Sequence, residues 1–308
     1  MTRVALLSQS ADLSYFAPLL RAQDPSLDVA VWPDPRARDA EVAVCWNPPR
    51  GVYDEMPRLR LIHSIAAGVD NVVDRQNLRG LPVCRVVDPA LADGMVQYVL
   101  WSILYFHRNL DLAAANQRTG TWKRPAQQPA SACRVGLMGL GNLGGAIAQV
   151  LPRLGYPVNG WSRTPREMAG VTVFSGAEGL QAFLAATDVL VCLLPLTGQT
   201  RGILGRATFD ALPRGAAVVN CGRGEHLVAS DLIDALSSGH LRGAVLDVFD
   251  QEPLPPDHAL WQTPGVVVTP HMATMASSQV VARQVTDNIA RLRNGQALVH
   301  LVDSQRGY

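Results

Sequence analysis

The 308-residue sequence is poor in charge, with 17% Asp, Glu, Lys and Arg, and poor in aromatics, at 6%. Its formal net charge is only +1. Without clustered basic residues, neither nucleic acid nor an anionic membrane is expected as a partner. No apolar run approaches the ~18 residues of a membrane span. The opening Val4–Leu7 reads as a strand, without the basic region and apolar core of a signal peptide. HExxH, CxxC and carboxylate clusters are missing, so no metal site is expected. Cysteine is scarce: Cys45, Cys84, Cys133, Cys192 and Cys221 are scattered and mostly inside apolar runs. They read as buried thiols in a reducing compartment, which makes the cytoplasm the expected location. Internal repeats, low-complexity tracts and heptads are also absent.

What is present is the pattern of a globular α/β protein, 48% hydrophobic and long enough for two domains. Short apolar runs alternate with helical segments, as in parallel, doubly wound sheets covered on both faces. In the first part the strand candidates are 4–7, 29–32, 42–46, 61–65 and 83–86. From Pro89 to about Ala115 the spacing of Leu91, Met95, Tyr98, Val99, Ile103 and Phe106 predicts one long helix. A Pro- and Gln-containing linker, 121–132, precedes six further strand candidates: 134–138, 158–161, 189–194, 216–220, 244–248 and 266–269. A helix over 277–292 follows. The last apolar run, Leu298–Val302, has no place in a six-stranded sheet, so it is expected to return to the first domain. The division is then 1–98 with 280–308, and 99–279.

Cys133–Gly145 reads CRVGLMGLGNLGG. A strand meets Gly139-Leu140-Gly141-Asn142-Leu143-Gly144, and apolar residues then recur at helical spacing. Gly139 permits the turn, Gly141 lets a pyrophosphate approach the backbone, and Gly144 lets the helix pack near the strand. The pyrophosphate would lie on the free amides of the helix start. The next strand ends in Ser162-Arg163-Thr164. An acid there would receive the ribose hydroxyls of NAD; a cation and hydroxyls suit a 2′-phosphate instead, so NADPH is expected over NADH. Leu194 and Pro195, at the following strand end, would line the cofactor.

Asn220-Cys221-Gly222-Arg223-Gly224 places an arginine between glycines at a strand end, suited to gripping a carboxylate through two parallel bonds. Cys221, with no activating neighbour, reads as a small buried hydrophobe and not a nucleophile. The next two strands lead to Asp247…Glu252 and to Pro270-His271. Neighbouring strands can bring Glu252 to His271, and a carboxylate-held imidazole is a competent acid near neutrality. His63 reads as core, while His107 and His226 stand as alternative donors. In the first domain, the loops after Trp46 and around Ala66-Ala67-Gly68 could offer amides to an anion.

The glycine turn Gly139/Gly141/Gly144, then Asn220–Gly224, then Asp247 with Glu252-Pro253-Leu254, then Pro270-His271, four blocks in this order, resemble the D-isomer-specific 2-hydroxyacid dehydrogenase family. Trp46-Asn47-Pro48-Pro49 and Trp161-Ser162-Arg163 are most similar to its glyoxylate/hydroxypyruvate reductase A branch. The resemblance implies a discontinuous flavodoxin-like substrate domain carrying an inserted Rossmann domain, a homodimer, and reduction of small 2-keto acids by NADPH. It implies that Arg223 binds substrate, that His271 is the general acid, and that Glu252 orients His271. It places Asp247 at the nicotinamide, Gly222 and Cys221 along the cofactor, and Ala67, Gly68 and Trp46 at the substrate. Arg85–Asp88 departs from the branch, which leaves the preferred keto acid open. The alternatives are a dinucleotide-sensing corepressor on the same fold and a family dehydrogenase with another substrate.

Overall fold

The computed structural model describes residues 1–73 and 77–302. Two compact units emerge: Met1–Ala90 together with the chain from Met275 onward, and Leu91–Thr274. Residues 303–308 lie outside the described residues. Among those described, the first unit holds β1 (Arg3–Leu7), α1 (Phe16–Gln23), β2 (Asp28–Val31), β3 (Val42–Cys45), β4 (Leu61–Ser64), α2 (Asp70–Val73) and β5 (Val83–Cys84). The chain then passes through α3 (Ala90–His107), α4 (Leu110–Arg118), β6 (Val135–Met138), α5 (Asn142–Val150), β7 (Val158–Ser162), β8 (Val171–Ser175), α6 (Gly176–Ala185) and β9 (Val189–Cys192). It continues with α7 (Arg206–Ala211), β10 (Ala216–Asn220), α8 (Ala229–Ser237), β11 (Leu241–Leu246) and β12 (Val266–Val268), and ends in α9 (Ser278–Arg293) of the first unit.

In the first unit five parallel strands run in the order β2-β1-β3-β4-β5. Val281, Ala282, Val285 and Ile289 recur along one face of α9 and share a core with Val4, Leu6, Phe16 and Leu20. Burying each valine or isoleucine is worth about 2 kcal/mol, which fixes this distant segment to the sheet. The run after α9 also finds its partner: Leu301 bridges Cys84 in antiparallel register, and the Val302 amide donates to Val83 at 2.8 Å. His63, on β4, is fully buried. Burial pushes its pKa down to about 4, opposed by the contact of its Nδ1 with the Ser64 carbonyl. Asn288 of α9 lies 3.3 Å from its Nε2.

The second unit differs from the sequence expectation in two places. Its sheet has seven strands, in the order β12-β11-β10-β9-β6-β7-β8, and not six. The added strand, β8, is a partly exposed edge; with only one face against the core it lacks the continuous apolar run that marks its neighbours. The expected single helix is two. Asn109 adopts a left-handed backbone, φ 57°, between α3 and α4. Arg242 holds it there, donating to Asn109 Oδ1 at 2.7 Å and to both Asp111 carboxylate oxygens at 2.6 and 2.7 Å.

Candidate active site

The strands of the second sheet are all parallel, so their following loops share one edge. From β12 to β7 that edge presents His271, then Asp247 and Glu252, the Arg223 loop, Pro195, the glycine turn and Arg163. The chain runs outward in both directions from β6 and β9, and such switch points are where open α/β sheets take ligands.

The glycine turn fits a dinucleotide on its own geometry. Gly139 has φ +103° and its amide donates to Trp161. A Cβ on Gly144 would sit 2.0 Å from the Gly139 carbonyl oxygen, so only glycine allows α5 to start this close to β6. A Cβ on Gly141 would meet nothing within 4 Å. No side chain caps α5. Its first-turn amides, those of Asn142, Leu143 and Gly144, are therefore left without a side-chain acceptor from the cap, with the positive end of the helix dipole behind them, an arrangement suited to an anion. Leu140 is buried and packs beneath the turn.

At the end of β7, Ser162 gives its hydroxyl to the Thr164 carbonyl at 2.7 Å, and Arg163 and Thr164 are exposed. Arg166, which the sequence reading passed over, donates through Nη1 to the Leu140 carbonyl within the glycine turn. The signal for it was a second arginine three residues beyond Arg163. Across the switch point, Leu194 is buried and Pro195 precedes a turn closed by Thr200, whose hydroxyl donates to the Pro195 carbonyl at 2.7 Å.

The Arg223 loop is held from both sides. The Asn220 side chain accepts from Gly222 N–H at 3.2 Å and donates to the Arg223 carbonyl at 3.0 Å. His226 Nδ1 accepts the Arg223 amide at 3.0 Å, which leaves the ring proton on Nε2, toward the Pro195 carbonyl at 3.4 Å. His226 is fully buried and braces the Arg223 loop against the loop that begins at Pro195. His107 instead contacts Tyr156 and Gln128 on the α3 side, away from this edge. The guanidinium of Arg223 reaches back to the Gly222 carbonyl at 2.7 Å through Nη1. A Cβ on Gly224 would overlap the Phe249 carbonyl carbon at 1.8 Å, so glycine is what lets this loop lie against the one carrying Glu252. Cys221 is buried, and burial pushes its thiol well up.

Glu252 Oε1 accepts the Phe249 amide at 3.0 Å, and Oε2 lies 2.8 Å from His271 Nδ1. His271 has a left-handed backbone, φ 51°. Asp247 is buried, and its carboxylate already accepts from Thr269, Met272 and Ala273. Asp247 therefore shapes the His271 segment, whatever else it touches.

In the first unit, Trp46 leaves β3 half-buried beside the core. Ser64, at the end of β4, accepts from Ala66 N–H at 3.1 Å and donates to the Gly68 carbonyl at 3.1 Å, closing Ala66-Ala67-Gly68 into a turn. Among the described residues no set of three metal-ligating side chains converges, and no helix is long and apolar enough to cross a membrane.

A family model described as D-isomer specific 2-hydroxyacid dehydrogenase, NAD binding domain, matches residues 100–273. The glyoxylate/hydroxypyruvate reductase A of Yersinia enterocolitica is 35% identical over 295 residues, 94% of each chain. A D-isomer specific 2-hydroxyacid dehydrogenase family protein from Klebsiella pneumoniae superposes with a TM-score of 0.91 at 46% identity, over 99% of this chain and 98% of that one. An NADPH-dependent glyoxylate/hydroxypyruvate reductase from Sinorhizobium meliloti, solved with NADP and sulfate, gives a TM-score of 0.89 at 35% identity over 100% of both chains.

Proposed function

Because the chain belongs to the D-isomer specific 2-hydroxyacid dehydrogenase family, we propose that it reduces small 2-keto acids, glyoxylate and hydroxypyruvate foremost, to 2-hydroxy acids with NADPH. NADH is a weaker alternative. The observation that carries this reading is the 2.8 Å contact of Glu252 with His271, on the sheet edge that also bears the Arg223 loop. The pyrophosphate is assigned to the amides of Asn142, Leu143 and Gly144, and the 2′-phosphate to Ser162, Arg163 and Thr164. Bound there, the nicotinamide supplies the hydride. Leu194, Pro195, Cys221 and Gly222 line its path, with Asp247 at its far end.

The chain's own residues supply the rest. Arg223 binds the carboxylate and offsets charge growing on the keto oxygen. Glu252 engages Nδ1, so the proton leaves from His271 Nε2, and the carboxylate stabilises the imidazolium until it does. Ala67 and Gly68 are assigned the substrate carboxylate, with Trp46 beside it. The substrate domain is then the unit built from residues 1–90 and 275 onward. A homodimer through the other unit is supported by α4, which buries no residue and exposes Leu110 and Leu112. The five buried free cysteines fit the cytoplasm.

The test is NADPH and NADH oxidation with glyoxylate, hydroxypyruvate, pyruvate and phenylpyruvate. Turnover with the first two, faster with NADPH, is expected. Tight NADPH binding without oxidation by any of the four would favour the corepressor-like alternative.

A further inference from the structure

The segment Thr269–Thr274, which carries His271, has no regular structure. A non-glycine residue at positive φ costs roughly 1–2 kcal/mol, so φ 51° at His271 persists only if its surroundings impose it. Asp247 does this from both sides of the histidine. Its main-chain carbonyl accepts the His271 amide at 2.8 Å, and its carboxylate accepts the amides of Met272 and Ala273 at 2.8 and 2.9 Å. Thr269 adds a side-chain donor to the same carboxylate, 2.7 Å from Oδ1, and so ties the end of β12 to the group that holds the His271 segment.

A threonine hydroxyl has one proton. With it committed to the Asp247 carboxylate, the 2.5 Å contact between Thr269 and Tyr98 must run from the tyrosine hydroxyl to the threonine oxygen. Tyr98 stands on α3 among the neighbours of Met95, Val99 and Ala273, which share one core. Thr274 pins the far end of the segment to the same helix, donating to the Leu91 carbonyl at 2.8 Å. We infer that Tyr98 and Thr269 are positioning residues for the proton donor: a directed chain, Tyr98 to Thr269 to Asp247, references the His271 backbone to α3. This rests on the assignment of His271 made above. Neither hydroxyl touches a reacting atom in this reading; both act through Asp247.

Thr269→Val removes the hydroxyl at nearly constant volume. A misaimed donor is felt in the chemical step, so kcat should fall about 10-fold while NADPH affinity and keto-acid KM stay within about 2-fold. Thr269→Ser keeps the hydroxyl and should restore kcat to within about 2-fold, and Tyr98→Phe, which removes only the outer bond, should cost about 3-fold. The decisive comparison adds His271→Asn. If Thr269 acts through His271, Thr269→Val should have no further effect on kcat in the His271→Asn background. An equal loss in both backgrounds, a Thr269→Ser variant as slow as Thr269→Val, or parental kcat in Thr269→Val would each overturn the inference. Should Thr269→Val not fold, Tyr98→Phe carries the same double-variant test. Retained activity in His271→Asn itself would instead remove the general-acid assignment on which the chain depends.

Discussion

The two units open alike and diverge within a few residues. Each has a buried parallel β-strand, β1 or β6, inside its sheet with a neighbour on both sides, and each strand leads through a loop to a helix. After β1 the loop is Ser8-Gln9-Ser10, and its amides are taken. Ser8 Oγ accepts from Ser10 and Ala11 at 3.2 and 3.0 Å, the Gln9 amide donates to Asn47 at 3.1 Å, and Asp12 accepts from Ser14 at 2.8 Å. After β6 the turn is glycine, α5 begins at once, and no side chain caps it. The same architecture therefore makes a closed loop in one unit and an anion seat in the other. What differs is whether side chains or a ligand satisfy the loop's donors.

That comparison breaks hardest at Gly144. A valine there would place its Cβ 2.0 Å from the Gly139 carbonyl oxygen, a backbone atom that cannot swing aside. The cost should be about 3 kcal/mol or more, read as a loss of NADPH affinity of at least about 100-fold. Gly141→Ala, by contrast, meets nothing within 4 Å and should melt like the parent while binding NADPH more weakly, because its methyl occupies the seat itself. Parental NADPH affinity in Gly144→Val would show that the close approach of α5 is not what builds the seat.

A buried histidine sharpens the account of the first unit. His63 is buried neutral in the first unit, its pKa pushed down to about 4 by desolvation, against ~6.5 in the unfolded chain. The unfolded state therefore takes up a proton first, and stability present above about pH 6.5 is lost as pH falls towards 4, to an upper limit of about 3 kcal/mol. Melting curves between pH 7 and pH 4 should show this window in the parent and a flatter profile in His63→Gln. Identical profiles would mean that another group controls acid stability.

Arg163→Ala should cost roughly 1.5–3 kcal/mol of 2′-phosphate contact, raising the NADPH KM by one to two orders of magnitude and leaving NADH nearly unmoved. Equal losses with both cofactors would assign Arg163 to folding or positioning instead. The smallest effect is expected at Ser8→Ala, where loss of the loop's hydroxyl should cost about 1 kcal/mol of stability and confer no second nucleotide site. A second NADPH equivalent in calorimetry would show that freeing amides is sufficient by itself.

Much of this architecture is legible in the sequence, and the features that are not share a cause. The glycine turn, the alternation of strands and helices, and the proximity of Glu252 to His271 follow from local spacing and from parallel strands ending on one edge. β8 escaped because an edge strand with one face against the core carries half the apolar signal of its neighbours. The break at Asn109 escaped because it is imposed by Arg242, more than a hundred positions away in the chain and invisible to a helical period. Arg166, Thr269 and Tyr98 are ordinary residues in ordinary patterns; only the fold reveals that their polar atoms meet the glycine turn and the Asp247 carboxylate.

The central claim is that the proton in keto-acid reduction comes from His271. Steady-state reduction of hydroxypyruvate by His271→Asn, alongside NADPH affinity measured by fluorescence, tests it most directly. Asparagine keeps the shape and some hydrogen bonding but cannot serve as an acid near neutrality, and positioned proton transfer contributes about 10²–10⁴ in rate. The account predicts a kcat lower by that factor with NADPH affinity unchanged. A kcat within a few-fold of the parent, with the same pH profile, would contradict it and place the proton donor elsewhere.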